Sequence, residues 1–175
     1  VGDGTIGLSV LLATRAAGAA EVYLVSKHKA HGEIAKTIGA TQVIDITNND
    51  PVKSVKDLTF GLGADVSFEC VGHPDTHQLA VDLARKAGTT VVLGVFNSPS
   101  TFNFMNVMFC EKRIIGSGIY VHEGETVIAL LADNRIRARQ LITAKVPLKD
   151  AVKKGFEQLV NKKEGNIKIL LEISL

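Results

Sequence analysis

Near the start of the chain, Gly2, Gly4 and Gly7 stand in the stretch VGDGTIG, with the spacing G-x-G-x-x-G. Glycines so placed suit the seating of a diphosphate. The first makes a tight turn, the second lets phosphates approach the backbone, and the third lets a helix pack close to its strand. A helix opening at Thr5, with Ile6 in its first turn, offers free N–H groups and a partial positive charge to the anion. Alone the pattern is weak, because flexible loops carry it by chance; a helix and then a strand must follow.

About 20 positions further on, such sites carry an acidic residue that hydrogen-bonds the adenosine ribose. Counting reaches Glu21, but that residue begins a strand. The ribose belongs at the strand's carboxyl end, where Ser26 is followed by Lys27, His28, Lys29 and His31. A hydroxyl and ammonium groups attract a 2′-phosphate that a carboxylate would repel. The reading leans toward NADP and leaves NAD open.

Other residues imitate active sites. Tyr23 and Lys27 have the Y-x-x-x-K spacing of a reductase pair. That pair needs a helix; on a strand the two lie roughly 13 Å apart. His73, Asp75 and His77 imitate a metal site, but the stretch enters a helix that Asp75 is placed to cap. His122 reads as an exposed loop imidazole and Cys70 as a thiol packed in an apolar strand.

These groups need a frame. Hydrophobic runs alternate with helical patterns, the sign of βαβ units and a parallel sheet. Thr5–Ala17 reads as a buried helix ending near Gly18, and Glu21–Ser26 as a strand. His31–Ile38 reads as a helix stopped by Gly39, before a short strand at Gln42–Asp45. A turn at Asn48–Pro51 leads into a surface helix. Ala64–Val71 is a strand, and a helix capped by Asp75 or Thr76 runs to Leu83. Thr89–Val95 reads as an apolar strand buried on both faces, RIIGSGIY as another strand, and Glu123–Ala132 as a helix. LITAKV, a helix over about Leu148–Asn161, and IKILLEI complete the chain. The expected fold class is α/β: a Rossmann-type doubly wound parallel sheet whose first strand is reduced to Val1.

Composition narrows the function classes. A chain of 175 residues with 46% hydrophobic and 22% charged content is globular. The net charge of +2 comes from scattered residues, which gives no reason to expect nucleic acid or an anionic membrane as a partner. No apolar run reaches the ~20 residues of a bilayer span. The two cysteines show neither metal spacing nor a disulfide framework, so reduced thiols and a cytoplasmic location are expected.

Six pieces of the sequence, in order, resemble the cofactor-binding part of the zinc-containing medium-chain alcohol dehydrogenases. They are VGDGTIGL, AKTIGATQVID, ADVSFECVG, RKAGTTVVLGVF, EKRIIGSGIY and VPLKDAVKKGFE. The likeness is greatest to sorbitol, butanediol and threonine dehydrogenases. It implies a dinucleotide-binding domain over residues 1–141 and a segment, 142–175, that returns to a catalytic domain. It further implies that Ile6 packs the cofactor and that Ser26 stands where NAD-using members place an aspartate. His31 would lie near the adenine. Val71 and Gly72 would flank the nicotinamide ribose, and the Leu93–Gly94–Val95 backbone would hold the carboxamide. Gly118, Ile119 and Tyr120 would line the same pocket.

In the resembled family the zinc, its ligands and the proton relay come mostly from an N-terminal domain. No catalytic or metal residue is therefore assigned within these 175 residues, and the expectation is a fragment of a longer chain, inactive alone. The implied reaction is hydride transfer between a secondary alcohol or polyol and nicotinamide, in a homodimer or tetramer paired through RIIGSGIY. A zinc-free quinone or enoyl reductase, a non-catalytic nucleotide-binding regulator and, more distantly, a methyltransferase remain as alternatives.

Overall fold

The computed structural model describes residues 1–173; the last two positions of the 142–175 segment lie outside the described residues. The first helix, α1 (Thr5–Ala16), buries Gly7, Leu8, Leu11 and Leu12, one face at helical spacing. It leads to β1 (Tyr23–Ser26), α2 (Lys29–Thr37) and β2 (Gln42–Asp45). Next come α3 (Pro51–Leu58), β3 (Ala64–Glu69), α4 (Pro74–Leu83) and β4 (Ala84–Val92). After α5 (Phe104–Phe109) follow β5 (Arg113–Gly116), α6 (Gly124–Ala132), β6 (Ile142–Pro147), α7 (Glu157–Asn161) and β7 (Lys168–Glu172).

Among the described residues every strand pairing is parallel. β1 pairs with β2, and β3 with β4 with β5. Val1 and Gly2 stitch the two sets together. The Val1 nitrogen donates to Phe68 O at 2.7 Å, and Cys70 N donates to Val1 O at 3.0 Å. That is one rung of a parallel ladder opposite Glu69. On the other side Gly2 N donates to Val25 O at 3.1 Å. The spatial order is thus β2, β1, Val1–Gly2, β3, β4, β5, winding outward in both directions from the bend. Ligands bind at such a switch point, outside the carboxyl ends of the strands.

Two clusters hold the layers together. Leu8, Leu11 and Leu12 pack with Leu24, Ala35 and Ile38, joined by Leu141 and by Ile167 of the last segment. Val25, Ile44, Val55 and Leu83 form the second. An apolar cavity of about 810 Å³ lies between β1 and β3, lined by Val10, Leu11, Val22, Leu24, Val66 and Phe68. Beside it Val66 is 44% exposed within its strand.

Several expected elements differ. The α4 cap is His73, neither Asp75 nor Thr76: its Nδ1 accepts from Asp75 N at 3.3 Å, and Thr76 Oγ1 accepts from His73 N in return. With Pro74 opening the helix, the residue before it takes the extended conformation a cap requires. β4 begins at Ala84, directly after α4, and ends at Val92, so Leu93–Val95 lie beyond the strand. That strand is half-buried at Val91 and Val92, not covered on both faces. The span Leu148–Asn161 breaks into a 3₁₀ turn at Leu148–Asp150, a wider π-type stretch at Ala151–Phe156, and α7. The pattern did not foresee α5, which buries none of its own side chains.

Candidate functional site

The bend works through close backbone contact. Gly2 has φ +104°, and a Cβ on Gly7 would stand 1.9 Å from Gly2 O, so only glycine lets α1 lie against the turn. A Cβ on Gly4 would meet nothing within 4 Å, leaving open space at the helix mouth. Among the described residues no side chain caps α1, and its first helical bond runs from Leu8 N to Gly4 O. The N–H groups of Thr5, Ile6 and Gly7 therefore have no helical acceptor. Ile6 is 51% exposed there, while the Thr5 hydroxyl donates to Ile167 O at 2.7 Å and ties the last segment to the bend. Open space, free N–H groups and the positive end of a helix suit a dinucleotide diphosphate.

At the end of β1 a carboxylate is present, supplied by the bend. Asp3 Oδ2 accepts from Ser26 Oγ at 2.6 Å, Lys27 N at 2.9 Å and His28 N at 2.7 Å. His28 Nδ1 lies 3.0 Å from Asp3 Oδ1, and His31 Nδ1 lies 2.9 Å from the Asp3 carbonyl oxygen. Burial pushes the Asp3 carboxyl up, but bonds from Ser26 and from the backbone and ring of His28 outweigh it, and its pKa falls to about 2. Asp3, Ser26 and His31 are all buried, whereas Lys27 and Lys29 are exposed. Ser26 at the end of β1 and His31 in α2 thus turn their polar groups to Asp3.

The ends of β3 and β4 meet through Glu69. Its side chain is fully buried, and Oε1 accepts from Val71 N and Gly72 N at 2.9 Å each and from Thr76 Oγ1 at 2.7 Å. Its backbone oxygen accepts from Leu93 N at 2.8 Å and Gly94 N at 3.1 Å. One residue therefore pins both loops. Val71 also reaches the bend: a Cβ on Gly2 would stand 2.6 Å from its Cγ2. Beyond β5, Ser117 N still donates to Val92 O, and then Gly118, Ile119 and Tyr120 run out exposed, Ile119 with φ +60°. Among the described residues no hydrogen bond joins Gly118–Tyr120 to Leu93–Val95, so the structure brings the bend, Val71–Gly72 and Leu93–Val95 together more firmly than the β5 tip.

The imitations resolve physically. The Tyr23 hydroxyl donates to Glu21, and with burial this bond pushes the phenol up to about 12, the wrong direction for a catalytic acid. His77 packs between Phe96 and Phe102 with Nδ1 3.1 Å from Ser100 Oγ. Burial raises the Cys70 thiol, as expected of a packed residue. His122 is exposed. Among the described residues one grouping offers three metal-capable atoms within 4.8 Å of one another: Asp3, His28 and His31. Its carboxylate is already taken up by donors, and it sits at the β1 end rather than the β3–β4 tips, so it does not fit a catalytic zinc.

Sequence reasoning passed over two residues. Asp3 stands at a variable position of the motif, and Glu69 looks like an ordinary strand residue. The available signal was a carboxylate within each tightly packed stretch, since buried carboxylates require partners.

The chain matches the zinc-binding dehydrogenase family model over residues 5–133. It is 30% identical to (R,R)-butanediol dehydrogenase of Neisseria gonorrhoeae over 175 residues, covering 99% of this chain and 49% of that protein. To L-threonine 3-dehydrogenase of Bacillus licheniformis it is 31% identical, covering 97% and 50%. The fold superposes on 2R,3R-butanediol dehydrogenase of Bacillus subtilis with a TM-score of 0.88 at 29% identity, covering 98% and 49%. The chain spans about half the length of the curated relatives it matches. An uncapped helix behind a glycine bend at the sheet's switch point, together with a family match over most of the chain, places it: this chain belongs to the zinc-binding dehydrogenase family.

Proposed function

We propose that this chain is the nicotinamide-dinucleotide-binding part of an alcohol or polyol dehydrogenase that moves hydride between a secondary alcohol and NAD(P). The observation that carries the reading is the bend: three unpaired N–H groups at the α1 mouth, at the switch point, beside the joined ends of β3 and β4. The coenzyme, when bound, supplies the hydride acceptor. The chain's own residues do the holding. Thr5, Ile6 and Gly7 face the diphosphate, Val71 and Gly72 the nicotinamide ribose, and the Leu93–Val95 backbone the carboxamide, with Gly118–Tyr120 across the pocket. Lys27 and Lys29, both exposed, favour NADP over NAD by attracting the 2′-phosphate.

We further propose that the alcohol oxygen is polarised by zinc held outside these residues and that residues 142–175 lean toward that part of the protein. The tail keeps Leu148, Val152 and Phe156 more than half exposed, as a face awaiting apolar cover would. Subunits pair through β5, an edge strand with Ile115 half-exposed. Titrating NADPH and NADH into the full-length protein tests the reading; no quenching or enhancement of nicotinamide fluorescence by either would overturn it.

A further inference from the structure

The acidic residue of an NAD site stands at the end of the strand after the glycine bend, where it meets the ribose hydroxyls. In this chain the carboxylate occupies that neighbourhood from the other side. Asp3 sits in the bend and reaches over to Ser26, Lys27 and His28, while position 26 carries the hydroxyl. Ser26 is only 3% exposed, and its single proton is shared between Asp3 at 2.6 Å and the His28 carbonyl at 3.1 Å. A hydroxyl has one hydrogen to donate. Ser26 therefore has none left for a phosphate.

We infer that coenzyme choice is set by Asp3 and Ser26 acting as one unit, with Asp3 the positioning residue. This rests on the dinucleotide reading above. By accepting from the backbone N–H groups of both Lys27 and His28, Asp3 fixes the turn that carries the Lys27 ammonium and the His28 ring. Those two groups recognise the adenosine 2′-phosphate. Placing an aspartate at position 26 leaves Asp3 where it is, so two carboxylates fall within hydrogen-bond distance in a buried spot. One of them must then take up a proton or move out. Replacing Ser26 alone cannot reproduce an NAD site.

The role of Asp3 has a distinguishing sign. If its charge acted only through space, removing it would strengthen NADPH binding, because one repulsion of the 2′-phosphate disappears. As a positioning residue it has the reverse effect.

The experiment uses the full-length protein and four forms: wild type, Asp3→Asn, Ser26→Asp, and the exchange D3S/S26D. KM and kcat for NADPH and NADH are measured for each, with Tm in the absence of coenzyme. Asp3→Asn is expected to lower the NADPH-to-NADH ratio of kcat/KM by about tenfold, chiefly through KM for NADPH, the scale of one charge-assisted hydrogen bond. Ser26→Asp is expected to lower Tm and to weaken both coenzymes. The exchange restores much of the Tm and turns the preference toward NADH. The inference is overturned if Ser26→Asp by itself shifts preference to NADH at unchanged Tm, or if Asp3→Asn improves NADPH. A wild-type protein that binds neither coenzyme sinks the dinucleotide reading instead, and the Tm values of the four forms tell the two failures apart.

Discussion

Gly72 and Gly94 meet backbone to backbone. A Cβ on Gly94 would stand 2.2 Å from the Gly72 nitrogen and 2.3 Å from Glu69 Oε2, and one on Gly72 would stand 2.2 Å from Val95 O. The joined tips of β3 and β4 therefore exist only while both positions lack a side chain. Gly94→Ala is expected to destabilise the chain by about 1–3 kcal/mol, the usual range for overpacking. Thermal melting measures that, and nicotinamide-coenzyme titration should show weaker binding at 25 °C. A Tm within a degree of wild type would contradict the contact.

Glu69 separates charge from hydrogen bonding. Glu69→Ala strands the Val71 and Gly72 N–H groups, each worth roughly 1–3 kcal/mol when buried and unsatisfied. Glu69→Gln keeps one accepting oxygen and should lose less than half as much. Urea unfolding of the two variants checks the order. Equal losses would mean that the charge, rather than the acceptor, holds the loops.

Acid should expose the Asp3 network. Its carboxyl is depressed to about 2. The stability it contributes is complete above its unfolded value of about 4 and disappears as pH falls through 2. Allowing for partial solvent screening, that contribution is on the order of 1–2 kcal/mol. The Tm gap between wild type and Asp3→Asn is expected to be constant from pH 7 to 5 and to close below about pH 4. A gap that persists at pH 2 would show that the stabilisation does not depend on the carboxylate charge.

Much of the frame could be read in the residues because its signals are local. Gln42–Asp45 follows from a short β-branched run, and the helix after the Asn48–Pro51 turn from its polar surface pattern. The helix after the glycine bend follows from its apolar face. Residues whose role depends on distant neighbours were harder to read. Leu93–Val95 continue an apolar run, yet the strand ends at Val92, where Glu69 O accepts from both Leu93 N and Gly94 N. The cap at His73 was missed because histidine rarely caps a helix.

By itself the sequence determined the α/β alternation, the glycine bend and the kinship with zinc-binding dehydrogenases. Each of these is written in spacing along the chain, which local backbone preferences and side-chain periodicity express directly. Only the tertiary structure decided that Val1 and Gly2 join two sets of strands, that Glu69 fastens two loops, and that Asp3 occupies the end of β1. Those facts rest on hydrogen bonds between residues up to 69 positions apart, Cys70 to Val1 among them. Such bonds are set by how the layers close around a buried polar group, which no local window of the chain contains.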